Sequence, residues 1–306
     1  MEALDTPILF LVFNRPETTR LVFEKIREIQ PRQLFVAADG PRKDRSGESE
    51  ICREVRQIAT QIDWDCELTT LFREENLGCG KAVSEAITWF FEHVEEGIIL
   101  EDDCLPDSSF FHFSSNLLIK YRSERQVMSI SGSNLLGYFR NESDQSYFWG
   151  LGGIWGWATW KRAWSLYDFE MKEWGEDSVK HQIRNAIHTQ EWYEYYKPMF
   201  DACFRGTLDT WDVQWFYTIL RNSGLSVNPK VNLVKNIGFR HDATHTENSQ
   251  SPIATMNIAS ISLPLKHPNH KIVDIEQLNL MYRKVTTPIK SKSNILRGIF
   301  KVFFKQ

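Results

Sequence analysis

The sequence predicts an α/β protein with a mostly parallel central sheet flanked by helices. Three observations lead there. Short apolar runs recur through the first hundred residues. A stretch with helical apolar spacing follows each of the first three, and each run stops at polar turn residues. Strands alternating with helices in this way form parallel sheets with right-handed crossovers.

Each element has its own local reason. Pro7 to Phe13 is a continuous apolar run ending at Asn14-Arg15-Pro16, as a strand buried on both faces would be. Pro16 suits the first position of a helix, and Leu21, Val22, Ile26 and Ile29 give Thr18 to Ile29 a helical stripe. Leu34 to Ala38 is a second strand, stopped by Asp39-Gly40-Pro41. Glu48 to Ile62 reads as a helix and Cys66 to Phe72 as a third strand. Lys81 to His93 is a third helix, with Val83, Ile87, Phe90 and Phe91 on one side. Gly97 to Leu100 is a fourth strand running into Glu101-Asp102-Asp103. Ser109 to Arg122 reads as a helix and Val127 to Ser131 as a strand. Beyond them come a Gly/Trp-rich segment at 149–160, helices near 175–189, 191–204 and 211–222, short strands over 225–234, and a polar loop at 235–270.

Composition narrows the function. The 306 residues carry 36 Lys+Arg against 40 Asp+Glu, a net charge of −4, so the fold as a whole is not a basic nucleic-acid platform. No apolar run approaches the roughly 20 residues of a membrane-spanning helix. The start, Met-Glu-Ala-Leu-Asp, has no basic n-region, and the five cysteines are odd in number with no C-x-x-C pair. The expectation is a cytoplasmic protein with reduced thiols. Nine of the 11 tryptophans fall between 149 and 215. They read either as an aromatic core or as a surface that stacks flat rings.

Ligands of parallel sheets bind beyond the carboxyl ends of the strands. Asn14, Asp39, Gly78 and Asp103 all fall near that edge. Glu101-Asp102-Asp103 places adjacent carboxylates there, which repel one another unless a cation intervenes. Mg²⁺ and Mn²⁺ prefer such oxygen ligands together with substrate phosphates; a solvated acidic turn is the other reading. Asp39 either accepts hydrogen bonds from a base or ribose or is a turn aspartate. Arg15 either faces a phosphate or nucleobase or is a surface arginine. Asn76-Leu77-Gly78-Cys79-Gly80-Lys81 opens a helix whose N-terminus favours an anion, with Lys81 adding charge. It is not a P-loop, and no G-x-G-x-x-G follows the first strand, which disfavours ATPase and dinucleotide readings. Asp212, in Trp211-Asp212-Val213-Gln214-Trp215, is a candidate general base; an acid in a helix's first turn, capped by Asp209 or Thr210, is the structural alternative. His241 and His245 are candidate metal ligands in a polar loop.

Together these residues resemble the GT-A fold of nucleotide-sugar-dependent glycosyltransferases, and more closely the bacterial relatives of N-acetylglucosaminyltransferase I, over roughly residues 7 to 250. Glu101-Asp102-Asp103 is similar to that family's form of the D-x-D motif. Trp149 to Trp157 is similar to its acceptor-side Gly/Trp segment, and Pro229 to Thr246 to its loop over the active site. The resemblance implies a Rossmann-like nucleotide-diphospho-sugar transferase fold. In it, 1–131 would be the donor half, 132–287 the acceptor and catalytic half, and 288–306 a tail. Asn14, Arg15, Asp39, Gly78, Lys81, Glu101 and Asp102 would bind the nucleotide sugar, UDP favoured, with Asp102 near the ribose. Asp103 would bind Mn²⁺ or Mg²⁺, with His245 where the loop meets the diphosphate. Asp212 matches the catalytic base; the family has two adjacent acids, whereas Val213 follows Asp212 here, so Asp209 stays a candidate.

The implied reaction is inverting transfer of a sugar to a hydroxyl of a glycan or lipid-linked glycan. Two other classes stand beside it: a nucleotidyltransferase making the sugar nucleotide, and a non-catalytic carbohydrate-binding module. The first lacks its usual Gly-rich basic loop after strand one; the second leaves the acidic triplet unexplained. Residues 235 to 250 are expected to close over the donor. From Pro288 onward five basic and no acidic residues accompany an apolar stripe. That pattern predicts peripheral contact with the inner membrane face, with packing on the catalytic domain as the other reading.

Overall fold

A computed structural model describes residues 3–140, 144–239, 253 and 255–286. Strands β1 (Ile8–Val12), β2 (Gln33–Ala38), β3 (Glu67–Phe72) and β4 (Glu96–Glu101) alternate with helices α1 (Pro16–Ile29), α2 (Glu48–Ala59) and α3 (Gly78–His93). Then come β5 (Cys104–Pro106), α4 (Ser108–Tyr121), β6 (Val127–Ser131), β7 (Tyr147–Gly150) and β8 (Trp157–Trp160). Helices α5 (Lys161–Trp164), α6 (Asp177–Ala186), α7 (Gln190–Phe204) and α8 (Asp212–Arg221) follow. Strands β9 (Leu225–Pro229) and β10 (Val234–Asn236) and helix α9 (Ile275–Thr286) complete the chain.

The main sheet has eight strands in the order β3-β2-β1-β4-β8-β6-β9-β7. β3, β2, β1 and β4 are parallel, as are β6 and β9; β8 and β7 run the other way. The α/β class with a mostly parallel sheet flanked by helices is thus observed. Both faces of β1 are covered, which is why its sequence is apolar without alternation. Ile8, Phe10 and Val12 join Val22, Phe23 and Phe110 in one core cluster. Leu9 and Leu11 join Ile87, Phe90 and Trp215 in another. A third cluster, around Trp174, Phe200 and Phe216, sits under α6, α7 and α9. Leu21, counted in the apolar stripe of α1, is instead 53% exposed, and Phe23 takes the inward position.

The tryptophans are mostly core. Trp149, Trp157, Trp160, Trp174 and Trp215 are fully buried, and Trp157 stacks on Trp211 at 5.6 Å between ring centroids. The Gly/Trp segment divides into β7, a turn and β8, and α9 follows the region read as polar loop; neither was expected. All five cysteines are free. No helix among the described residues is long and apolar enough to cross a membrane. His241, His245, most of 235–250 and the whole of 288–306 lie outside the described residues, as do the expectations placed on them.

Candidate active site

The order β2-β1-β4 sets the geometry. Leu11 pairs with Ala37 on one side and Glu101 on the other, so the segments following β2, β1 and β4 emerge side by side. β1 and β4 border the point where chain order reverses, the usual ligand crevice of such sheets. A cavity of about 680 Å³ opens there, with Arg15, Asp39, Gly78, Glu101, Asp102, Asp103, Asp209 and Asp212 in its wall. Residues from five separate stretches of chain therefore share one space.

Arg15 lies between the strand-end acids. Its Nη1 donates to Asp103 Oδ2 at 2.8 Å and its Nη2 to Asp102 Oδ1. Asp102 also accepts the Phe13 amide at 3.3 Å. Only 2% of Asp102 and 8% of Asp103 is exposed, so the pair depends on this guanidinium for neutralisation. Burial pushes the Glu101 carboxyl up to about 8, with Asp103 adding to the effect and Arg15 opposing it. Burial likewise raises Asp102 to about 6, against the pull of Arg15. β10 pairs with β5 and brings the next residues over this cluster. The Ile237 amide donates to the Asp103 carbonyl at 2.8 Å. A Cβ at Gly238 would fall 2.2 Å from Asp103 Oδ2 and 3.0 Å from Arg15 Nη1, so only glycine passes there.

Asp39 is committed to local structure. It accepts from the Gly40 amide at 2.9 Å, the Leu77 amide at 3.1 Å and Asn76 Nδ2 at 2.9 Å, fixing the loop before α3. Burial raises its carboxyl above the ordinary range while these amides hold it down. The first turn of α3, read as an anion site, already holds an anion. Asp209 accepts from the Cys79 amide at 3.0 Å and the Gly80 amide at 2.8 Å. A Cβ on Gly78, whose φ is +82°, would meet Asp209 at 2.5 Å. The glycines of Gly78-Cys79-Gly80 thus make room for a carboxylate from the other half of the chain. Lys81 points to solvent, and neither it nor Asn14 lines the cavity. Asn14 Nδ2 instead donates to Glu48 Oε1 at 2.9 Å. Glu48 also accepts the Arg42 amide at 2.7 Å and pairs with its guanidinium.

Asp212 opens α8, and Thr210 Oγ1 donates to its Oδ1. One oxygen is occupied by that hydroxyl, which sets the orientation of the carboxylate. The turn after β7 forms another wall, with Gly152 donating to Ser226 Oγ at 2.9 Å. Trp155, partly exposed, packs edge-on to Phe239 at 5.7 Å. Sequence reading missed the remaining wall, where α7 contributes Trp192, Tyr195 and Tyr196 and α9 contributes Met281 and Tyr282. The aromatic run in 192–196 was a signal for it; the α9 pattern was not read at all.

Among the described residues no three His, Cys, Asp or Glu side chains converge as a metal-binding set. The donors nevertheless suit a hard divalent cation in kind, being carboxylate oxygens. The cavity wall carries six carboxyl groups, Asp39, Glu101, Asp102, Asp103, Asp209 and Asp212, against three guanidiniums, Arg15, Arg42 and Arg73. An anion entering it meets more carboxyl groups than guanidiniums.

The arrangement defines an α/β protein with a large ligand cleft at its strand carboxyl ends. No family model and no curated protein matches the chain. Among solved structures, HddC from Yersinia pseudotuberculosis is similar at a TM-score of 0.31 and 8% identity, over 51% of this chain and 77% of that one. UDP-glucose pyrophosphorylase complexed with UDP-glucose is similar at 0.28 and 12% identity, over 49% of this chain and 64% of that one.

Proposed function

We propose that this protein is an inverting glycosyltransferase that moves a sugar from a nucleotide-diphosphate sugar to an acceptor hydroxyl. One observation carries the reading. A carboxylate oriented by a hydroxyl, Asp212, shares a single cavity with the charged strand-end cluster of Arg15, Asp102 and Asp103. That pairs a proton acceptor with a site for a charged donor.

The donor would lie along the strand ends, with its nucleotide toward Asp39 and its diphosphate toward Arg15. Arg15 would exchange part of its pairing with Asp103 for the diphosphate. Asp103, so released, would hold Mn²⁺ or Mg²⁺, which when bound would neutralise the leaving diphosphate. Asp212 would take the acceptor's proton as the hydroxyl attacks the anomeric carbon from the face opposite the diphosphate. The anomeric bond to the diphosphate breaks with its electron pair going to the phosphate oxygen. One base without a required nucleophile gives inversion, by analogy with two-carboxylate glycosidase chemistry.

Calorimetric titration with UDP and GDP, with and without Mn²⁺, tests the donor half. Binding by the native protein that needs Mn²⁺, and its loss in a folded Asp103→Ala variant, is expected. Unchanged Mn²⁺-dependent affinity in that variant would sink the assignment. Incubation with UDP-sugar and pyrophosphate separates the nucleotidyltransferase class, because release of UTP identifies that chemistry instead.

A further inference from the structure

The cavity has two unlike ends. The strand-edge end is charged. The other, between α7 and α9, is walled by Trp192, Tyr195, Tyr196, Met199, Met281 and Tyr282. These rings brace one another: Tyr282 lies 5.9 Å from both Trp192 and Tyr195, and Tyr196 lies 4.5 Å from Phe216 behind it. The polar groups of this chamber are few, chiefly the hydroxyls of Tyr195, Tyr196 and Tyr282. The Tyr282 hydroxyl already donates to the Glu191 carbonyl at 3.2 Å. Burial holds the Tyr195 and Tyr196 phenols uncharged, well above their ordinary range.

A sugar ring placed against Met199 and Met281 would give up hydrogen bonds to water that these side chains cannot replace. A hydrocarbon chain loses nothing polar, and apolar cavities take such ligands readily. Methionine and aromatic walls also adapt to irregular apolar shapes. We propose that the acceptor is an amphiphile: a hydroxyl-bearing head at Asp212, followed by a hydrocarbon chain held between α7 and α9. The inference rests on the glycosyltransferase reading for the role of the head, and on the chamber alone for the chain.

The test uses the full chain and an octyl glucoside carrying a diazirine at the chain end. After photolysis, label is expected in peptides from α7 and α9. Methyl glucoside should not compete, whereas unmodified octyl glucoside should. Val285→Asp and Leu208→Asp each place a charge in the cavity wall, and each is expected to cut labelling about tenfold while keeping the melting shift produced by UDP or GDP. Label elsewhere, or label that persists in both variants, overturns the amphiphile. Label in α7 and α9 with no nucleotide diphosphate raising the melting temperature sinks the glycosyltransferase reading and leaves only an apolar subsite.

Discussion

At the residue scale, the site is a set of carboxyl groups with different partners, and the partners assign their work. Asp102 and Asp103 face Arg15, Asp39 faces amides, and Asp209 faces the start of α3. Asp212 has one hydroxyl partner and the cavity before it. Asp212→Asn should therefore lower turnover by at least about 10²-fold, the low end of general-base effects, and keep donor affinity. Steady-state rates beside titrated UDP affinity read this; full activity in the variant removes Asp212 from the mechanism. Glu101 carries a second prediction. Its carboxyl is raised from 4.5 to about 8 in the fold. The unfolded chain loses that proton near the ordinary value and the folded one keeps it, so the contribution to stability is full at low pH and disappears as pH climbs toward 8. In EDTA, urea stability should fall over that range with a contribution of at most about 1.4 kcal/mol per pH unit from this group. Glu101→Gln should flatten the decline; an identical slope in the variant assigns it to other groups.

At the scale of elements, what could be read from the chain follows from how far each element's reason extends. β1, β2 and β4 were legible because a strand covered on both faces declares itself as an apolar run with polar residues at its end. The same logic placed Asn14, Asp39, Gly78 and Asp103 at one edge. β7 and β8 were not legible: Trp149, Trp157 and Trp160 pack on different faces, in a segment with neither alternation nor helical spacing. The cap of α3 was not legible for another reason. Asp209 lies 129 residues from Gly80, and no local pattern links a carboxylate to a helix start so distant. That contact makes a prediction. Asp209→Ala removes the acceptor from two amides and should cost about 1 kcal/mol, the usual size of a lost cap. A chemical-denaturation midpoint unmoved by the change would show that α3 does not need it. Turnover in Asp209→Ala, corrected for folded fraction, should stay far above that of Asp212→Asn, because a carboxylate engaged by two amides is a poor place for the acceptor's proton.

At the scale of the whole molecule, the cavity runs from a charged strand edge to an apolar chamber, and the sequence beyond α9 has a character of its own. α9 spans Ile275–Thr286, with Val285 in the cavity wall. The sequence of 288–306 carries Lys290, Lys292, Arg297, Lys301 and Lys305 and no acidic residue. Wound as a helix, Ile295, Leu296, Ile299, Phe300 and Phe303 would share one face and Arg297, Lys301 and Lys305 another. Such a segment lies in an anionic interface rather than across it, since about 20 apolar residues are needed to span. Each cation near the surface contributes about 1 kcal/mol, enough in sum for reversible attachment that salt weakens. Attachment there would bring the chamber to the phase in which amphiphilic acceptors reside. Flotation with liposomes containing phosphatidylserine is expected to recover the full chain at low salt and release it at high salt. A chain truncated after Thr287 should stay with the soluble fraction and keep its affinity for nucleotide diphosphates. Equal flotation of the two proteins would show that residues 288–306 are not the anchor, and recovery of neither would show that the protein reaches its acceptor from solution.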